Sequence, residues 1–144
     1  MSLNLLDYGG LGGLSYSEED DMMELSNTTI CNIKKAELNK RGISNFTEWN
    51  KKPNTVYIGR NMSFFVEGTY QSKWHNPFSS KKAIAKNPEK NNLEEYENYI
   101  RNNKDLYDSL EELDGKELGC WCKPKECHGD VLIKLLCEKK YYKK

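Results

Sequence analysis

Apolar residues recur at helical spacing in several parts of the chain. Residues 33–40 fit a short helix that Gly42 ends, and Phe46 and Trp49 lie three positions apart in a second short helical stretch. One helical turn is expected near Lys82–Ala85, within a region that otherwise reads as a loop. Longer amphipathic faces predict three further helices, the last over about residues 128–141. Their apolar faces consist of Leu93, Tyr96, Tyr99 and Ile100 in the first, Leu106, Tyr107, Leu110 and Leu113 in the second, and Val131, Leu132, Leu135 and Leu136 in the last.

Three short runs are typical of strands. Thr55–Ile58 is rich in β-branched and aromatic residues and follows a turn at Pro53 and Asn54, which predicts a buried strand. Ser63–Val66 and Lys116–Cys122 are the other two strand candidates. The chain therefore passes from strands to helices, then to a strand and a final helix.

That order of elements predicts an α/β fold. We expect a small single domain whose few-stranded sheet contains a parallel βαβ pair, joined by a right-handed crossover and flanked by helices. A chain of 144 residues has room for one such domain. We divide it into a flexible, disordered acidic tail at 1–26, a helical N-terminal extension at 27–53 and the α/β domain at 54–144.

The formal net charge of zero conceals an uneven distribution of charge. The first 26 residues carry six acids and neither Lys nor Arg, so residues 27–144 hold 22 basic groups against 16 acids. Such an excess permits a polyanionic partner, because clustered Lys and Arg neutralise phosphates and release counterions. The alternative is that these lysines form a solvated surface without a partner.

Membrane association is not indicated, because the longest apolar runs are far shorter than the ~20 residues that a span needs. The first residues also lack the basic and apolar regions of a secretory signal. We therefore expect a soluble, intracellular protein with no membrane partner. None of these features indicates the oligomeric state.

Three loops carry residues suited to ligand binding, and each follows a predicted strand. In open α/β sheets, ligands bind beyond the carboxyl ends of the strands, so we expect these loops to meet. Arg60 can form a fork with a phosphate or carboxylate, and the start of the last helix offers N–H groups to the same anion. Trp74 can stack against a base or sugar ring. The predicted ligand-binding residues are Gly59, Arg60, Lys73, Trp74, Asn76 and Gly129.

The last loop also carries the candidate catalytic residues Cys127, His128 and Asp130. A thiol beside a helix N-terminus tends to have a lowered pKa, which makes Cys127 a candidate nucleophile with His75 as its assisting base. Histidine is a natural proton shuttle near neutral pH, which suits His128. A structural role is the alternative for each: packing or hydrogen bonding for the histidines, and helix capping for Asp130.

Five cysteines in a chain expected to be intracellular argue against a disulfide framework. Cys120, Cys122, Cys127 and His128 provide four potential zinc ligands within nine residues. Structural zinc sites usually draw ligand pairs from two separated segments, so we expect no cofactor and keep zinc as the alternative. On a strand, Cys120 and Cys122 share one face, where small thiols can simply pack.

Several motifs, in order, resemble the family called domain of unknown function 4326. They are Val56–Arg60, Ser72–Phe78, Tyr96–Tyr99, Leu113–Pro124 and Cys127–Leu132. The resemblance covers about residues 54–137, and members of the family occur in bacteriophages, bacteria and large DNA viruses. It implies no particular activity. His75 stands where the family usually has glycine, which shifts the expected site toward Arg60, Asn76, Cys122, Cys127, His128 and Asp130.

Three functional hypotheses remain open. The main one is that the protein binds or processes a phosphorylated, nucleotide-like small molecule in an anion pocket at the carboxyl ends of the strands. The second is a basic, nucleic-acid-associated module of a virus or phage. The third is a zinc-stabilised structural or virion protein without catalysis. A viral product would lie in the host cytoplasm or be packaged in the virion.

Overall fold

Three parallel strands form one sheet in the computed structural model, which describes residues 25–79, 81–86, 91–123 and 125–143. The strands are β1 (Thr29–Asn32), β2 (Thr55–Tyr57) and β3 (Glu117–Cys120), with β3 in the centre. Glu117 lies level with Thr29 on one side and with Thr55 on the other. The predicted α/β fold with a parallel sheet is confirmed, and the carboxyl ends of all three strands lie at one edge.

β1 corrects the prediction that residues 27–53 are a purely helical extension. Just beyond the strand, the Ile33 N–H donates to the Cys120 carbonyl oxygen at 2.9 Å. Just before it, the Thr28 hydroxyl donates to the Leu113 carbonyl oxygen at 2.8 Å. These bonds make residues 27–53 part of the α/β fold. Residues 1–24 of the predicted tail lie outside the described part of the chain.

The helices begin and end at residues whose chemistry explains their limits. They are α1 (Lys35–Lys40), α2 (Phe46–Asn50), α3 (Lys81–Lys86), α4 (Asn92–Asn102), α5 (Lys104–Ser109), a 3₁₀ helix (Leu110–Leu113) and α6 (His128–Lys143). The side chains of Asn45, Asn91 and Asn103 accept hydrogen bonds from N–H groups in the first turns of α2, α4 and α5. Gly42, with φ of 77°, follows the end of α1. None of the described helices is both long and apolar enough to cross a membrane.

The sheet separates two hydrophobic cores. One contains the buried side chains of α4, α5, the 3₁₀ helix and α6, together with Leu118 and Cys120 of β3. The other contains those of α1 and α2, with Tyr57 of β2. A Cβ atom added to Gly119 would lie 2.5 Å from the Trp49 ring, so the glycine is what allows α2 to approach the central strand.

The prediction of a strand at Ser63–Val66 is wrong. This segment is a turn, in which the N–H groups of Phe65 and Val66 donate to the Met62 carbonyl oxygen at 2.8 and 2.7 Å. Phe64 and Phe65 are 93% and 80% exposed, so the apolar run is not buried. A short apolar run does not itself distinguish a strand from a local turn, and here local hydrogen bonds replace a partner strand.

Candidate functional site

A cleft of about 350 Å³ lies beyond the carboxyl ends of β2 and β3, beside the first turn of α6. Six of the predicted site residues line it: Gly59, Arg60, Asn76, Cys122, Cys127 and His128. Five other residues complete the lining: Ser79, Asn92, Leu93, Trp121 and Glu126. A larger and more open groove of about 650 Å³ runs along α4 and α5, but none of the predicted site residues lines it.

Arg60 differs from the other two arginines of the chain in its charge environment. The Arg41 guanidinium pairs with Glu117 at 3.1 Å, and that of Arg101 pairs with Glu97 at 2.9 Å. Arg60 is exposed, and none of the described carboxylates pairs with it. An anion entering the cleft therefore has no internal carboxylate to displace from this guanidinium.

Tyr57 holds the backbone that presents Arg60. Its hydroxyl donates to the Arg60 carbonyl oxygen and accepts from Trp121 Nε1 at 3.0 Å. A Cβ added to Gly59 would lie 2.5 Å from that hydroxyl oxygen. Gly59 therefore makes room for the Tyr57 ring, in addition to lining the cleft. The same hydrogen bond fixes the half-buried indole of Trp121 at the cleft.

The loop at 73–78 does not bring its tryptophan to the cleft. Trp74 is only 2% exposed, and its carbonyl oxygen accepts a hydrogen bond from the Tyr96 hydroxyl at 2.6 Å. Lys73 pairs with the Glu112 carboxylate at 2.8 Å, with its ammonium group 5.3 Å from the Trp74 ring centroid. His75 bonds to the Ser72 carbonyl oxygen through Nδ1 at 2.8 Å and does not line the cleft. Trp74 fills the core, so the ring-stacking role expected of it has no exposed surface to act through.

Asn76 is the residue of this loop that reaches the cleft. Its Oδ1 accepts from the Phe78 N–H at 2.8 Å, and its Nδ2 donates to Asn92 Oδ1 at 3.1 Å. The two amides thus tie the loop to the start of α4. Sequence reasoning did not select Asn92, because an asparagine beside the capping Asn91 looks like an ordinary helix start.

His128 is buried at the start of α6. Its Nε2 lies 2.6 Å from the Ile58 carbonyl oxygen, which can only accept, so we assign the proton to Nε2 and the lone pair to Nδ1. Burial lowers the pKa of His128, and the bond to Ile58 opposes that shift only in part. The side chain is therefore a neutral imidazole at pH 7 that supports the cleft wall.

We expect this burial to make the protein less stable in mild acid. Unfolded His128 binds a proton below its ordinary pKa of about 6.5, whereas the folded site resists it, so stability falls as the pH drops below that value. The lowered pKa values of carboxyl groups such as Glu97 and Glu117 also reduce stability as the pH falls. The effect of His128 is therefore measured by comparing the loss of unfolding free energy in the wild type with that in His128→Gln. Between pH 7 and 5 the free energy of unfolding of the wild type should fall by on the order of 1 kcal/mol more than that of this variant.

Urea denaturation at both pH values measures that difference. His75→Gln removes the other imidazole and is the comparison variant. It should retain most of the pH dependence, because burial is the largest cause of the lowered pKa of His128 and the charge of His75 a smaller one. If all three proteins lose the same stability, the buried imidazole is not responsible.

Asp130 and Gly129 build the start of α6. Asp130 Oδ2 accepts from the Cys127 N–H at 2.9 Å, and the Lys123 ammonium lies 2.9 Å from Oδ1. This is the returning half of a capping box. A Cβ added to Gly129 would lie 2.9 Å from Ile30 Cδ1, so the glycine lets the helix approach the sheet. Asp130 thus occupies one N–H group at the start of α6, which leaves that group unable to bind an anion. Positive charge in the cleft therefore comes mainly from Arg60.

Three thiols meet where β3 ends and α6 begins. The Sγ atoms of Cys120 and Cys127 are 3.4 Å apart, and the exposed Cys122 lies in the loop between them. Hydrogen bonds to Cys120 and Cys122, with burial, raise the pKa of Cys127, and the same hydrogen bonds lower the pKa values of its two partners. Because Cys127 has one proton, it supports one partner thiolate at a time. In the resting cluster Cys127 is therefore the thiol that keeps its proton, and the thiolate character falls to Cys120 or Cys122.

Metal binding was the alternative for these cysteines. Across the described ranges, no group of three or more His, Cys, Asp or Glu side chains is arranged so that it could hold a metal ion. The Nε2 atom of His128, the fourth candidate ligand, is engaged by Ile58.

Three lysines of α6 are paired with acids. Lys134 lies 2.9 Å from Glu97, Lys139 lies 2.9 Å from Glu111, and Lys140 lies 2.7 Å from Asp114. The part of the helix that carries these three lysines therefore presents mixed charge. The nucleic-acid-associated module considered from the sequence stays a prediction.

An exposed arginine and the start of a helix, at a cleft beyond the ends of parallel strands, define a small α/β protein with a candidate small-molecule site. The chain belongs to the family described as domain of unknown function (DUF4326), whose model matches residues 43–138. The resemblance carried by the motifs is thus confirmed, and it begins at residue 43, before α2.

A curated protein of a large DNA virus is also similar to this chain. It is "Uncharacterized protein R718" of Acanthamoeba polyphaga mimivirus, which is 38% identical over 88 residues. The aligned part is 56% of this chain and 65% of the relative, so the chain does not account for the relative's full length. No solved structure matches the chain significantly.

Proposed function

We propose that the protein binds a small phosphorylated, nucleotide-like molecule in the cleft beyond β2 and β3, with Arg60 holding the phosphate. The observation that carries the proposal is that the Arg60 guanidinium, at the wall of a cleft of about 350 Å³, pairs with none of the described carboxylates. A guanidinium can donate two parallel hydrogen bonds to a phosphate, which supplies both charge and orientation. The volume lies at the low end of the roughly 300–1,000 Å³ range of small-molecule sites, which suits one small ligand.

Trp121 supplies the aromatic surface for the ring of the ligand. Its indole is half-buried, lines the cleft and is fixed through Nε1 to the Tyr57 hydroxyl at 3.0 Å. Stacking of a base on an aromatic side chain contributes about 1–3 kcal/mol. Trp121 therefore takes the role that the sequence suggested for Trp74, while Ser79 and Asn92 supply polar groups at the wall.

The charge of the lining favours a ligand with few phosphate groups. Glu126 lines the same cleft as Arg60, and His128 is neutral at pH 7. Asp130 further reduces the positive potential at the start of α6. One guanidinium opposed by one carboxylate suits a nucleoside monophosphate better than a triphosphate.

The proposal is for binding and includes no catalytic step. The Cys127 thiol is hydrogen-bonded to the Cys120 thiol, His128 to the Ile58 carbonyl, and Asp130 to Lys123 and the Cys127 N–H. Each of the three predicted catalytic groups is therefore held by partners that complete the fold. Their hydrogen bonds do not link them as a nucleophile and its base.

Isothermal titration of the full chain tests the proposal. The ligands are adenosine and guanosine monophosphates, the matching nucleosides and triphosphates, and inorganic phosphate. We expect a monophosphate to bind more tightly than its nucleoside or triphosphate. Absence of binding by every phosphorylated ligand, or equal binding of nucleoside and monophosphate, would contradict it.

Glu126→Gln tests the charge argument separately. Removal of the carboxylate should tighten monophosphate binding by about threefold to tenfold, because a like charge near the phosphate is lost. The change should diminish at high salt, where exposed charges are screened. Glu48→Gln, in α2 and outside the cleft, is the control and should leave the affinity unchanged.

A further inference from the structure

We propose that Cys120 and Cys127 form a reversible disulfide by exchange with a low-molecular-weight disulfide, and that the exposed Cys122 is the thiol through which the exchange begins. The inference does not depend on the ligand proposed above. It starts from the distance of 3.4 Å between the Sγ atoms of Cys120 and Cys127. All five cysteines of the chain are free thiols in this structure.

The two buried sulfur atoms are close enough to bond after a small local movement. A disulfide bond is about 2.05 Å long, so they would have to approach by roughly 1.4 Å. Cys120 ends β3 and Cys127 immediately precedes α6, so the segment between them joins the two elements. Cys122, Lys125 and Glu126 in that segment are exposed, which leaves room for the adjustment.

Hydrogen bonding lowers the pKa of Cys120. The Cys127 thiol is the largest cause, and the N–H groups of Cys122 and Lys123 act in the same direction. Hydrogen bonds of this kind stabilise sulfur when it carries negative charge, which is the state that attacks a disulfide. The loop is therefore built to stabilise a thiolate rather than merely to pack two small apolar groups.

Access explains the need for the third cysteine. Cys120 and Cys127 are 1% and 2% exposed, so a disulfide in solution cannot reach either one. Cys122 is exposed, follows Cys120 by two residues, and has a pKa that interaction with the Cys127 thiol lowers. It thus links solvent to the buried pair.

The exchange balances in three steps. The Cys122 thiolate attacks one sulfur of R–S–S–R, whose S–S bond breaks, and the leaving RS⁻ takes the proton of Cys127. The Cys127 thiolate then attacks Cys122 Sγ and releases the second RS⁻. Finally, the Cys120 thiolate attacks Cys127 Sγ and releases the Cys122 thiolate. The second RS⁻ takes the proton of Cys120. The proton that Cys122 gives to solvent before the first step returns to it after the last. In total, two protein thiols are oxidised and one small disulfide is reduced to two thiols.

Peptide mapping of the full chain tests the proposal. The reduced, folded protein is incubated with oxidised glutathione, remaining thiols are alkylated, and the chain is digested with trypsin. Cleavage after Lys116, Lys125 and Lys134 separates Cys120 and Cys122 from Cys127. We expect a cross-linked pair of peptides whose fragmentation places the bond between Cys120 and Cys127. A reaction that stops at a glutathione adduct on Cys122, a final Cys122–Cys127 bond, or no reaction would overturn the proposal.

Variants separate the role of entry from that of the buried pair. Cys122→Ser should slow formation of the Cys120–Cys127 bond by about tenfold or more, because the exposed attacking thiol is lost. Cys31→Ser removes a half-buried thiol outside the cluster and should leave the rate unchanged. An unchanged rate in Cys122→Ser would rule out its role in entry. Formation of the same bond in urea-unfolded protein at the native rate would show that the folded cluster does not direct it.

Discussion

Replacing Trp49 by alanine is expected to lower the free energy of unfolding by about 3–5 kcal/mol. The Trp49 ring is fully buried between α2 and β3, in the space left by Gly119. Its Nε1 also donates to the Glu117 carboxylate at 2.7 Å. The substitution therefore leaves a cavity against the central strand and removes a hydrogen bond to a charged group.

Guanidinium denaturation followed by the fluorescence of the remaining tryptophans measures this loss. Trp49→Phe is the matched variant and should cost less than the alanine variant, because it retains a ring in the same space. A loss below about 1 kcal/mol for alanine would mean that the layer formed by α1 and α2 is not part of the main cooperative unit.

Arg60→Gln should weaken binding of a nucleoside monophosphate by about tenfold to a hundredfold. A hydrogen bond to a charged group contributes roughly 1.5–3 kcal/mol, and 1.4 kcal/mol corresponds to a tenfold change in affinity. The glutamine keeps much of the length and polarity of the side chain but removes the charge. Because the Arg60 guanidinium pairs with no described carboxylate, its loss should leave the stability of the fold nearly unchanged.

Arg41→Gln provides the control for this prediction. It removes the same charge from a partly exposed ion pair with Glu117, outside the cleft. Titration calorimetry should show that this variant binds the nucleoside monophosphate with the same affinity as the wild type. Equal weakening in both variants would indicate a general effect of net charge rather than a phosphate site at Arg60.

The elements that could be predicted from the sequence are those fixed by local signals. The apolar face of α4 repeats at helical spacing, and its start is capped by Asn91. β2 follows a turn in which Asn54 adopts a positive φ of 64°, and its β-branched and aromatic residues favour a strand. These preferences act over a few residues, so the folded chain keeps the local structure that they favour.

β1 and the turn after Met62 could not be predicted, because long-range pairing decides both. The four residues of β1 form a strand since β3 offers a hydrogen-bonding edge beside them. The more apolar Ser63–Val66 has no such edge and closes on itself through Met62. Strand formation here depends on what lies alongside, so composition alone favours the wrong segment.

The candidate site likewise contains residues that the sequence could locate and residues whose positions depend on packing. The rule that ligands bind beyond strand ends locates Arg60 and Cys122 at one edge, because it needs only the order of the strands. Which tryptophan reaches that edge depends on packing: Trp74 is buried against Tyr96, whereas Trp121 is held at the cleft by Tyr57. The opposing carboxylate of Glu126 carries no signal in the sequence beyond its charge.

Nuclear magnetic resonance mapping of amide shifts during titration with a nucleoside monophosphate tests the binding site most directly. We expect the largest shifts to cluster at Arg60, Asn76, Trp121 and Glu126 around the cleft of about 350 Å³. Shifts confined to the groove along α4 and α5, or no shifts at saturating ligand, would contradict it.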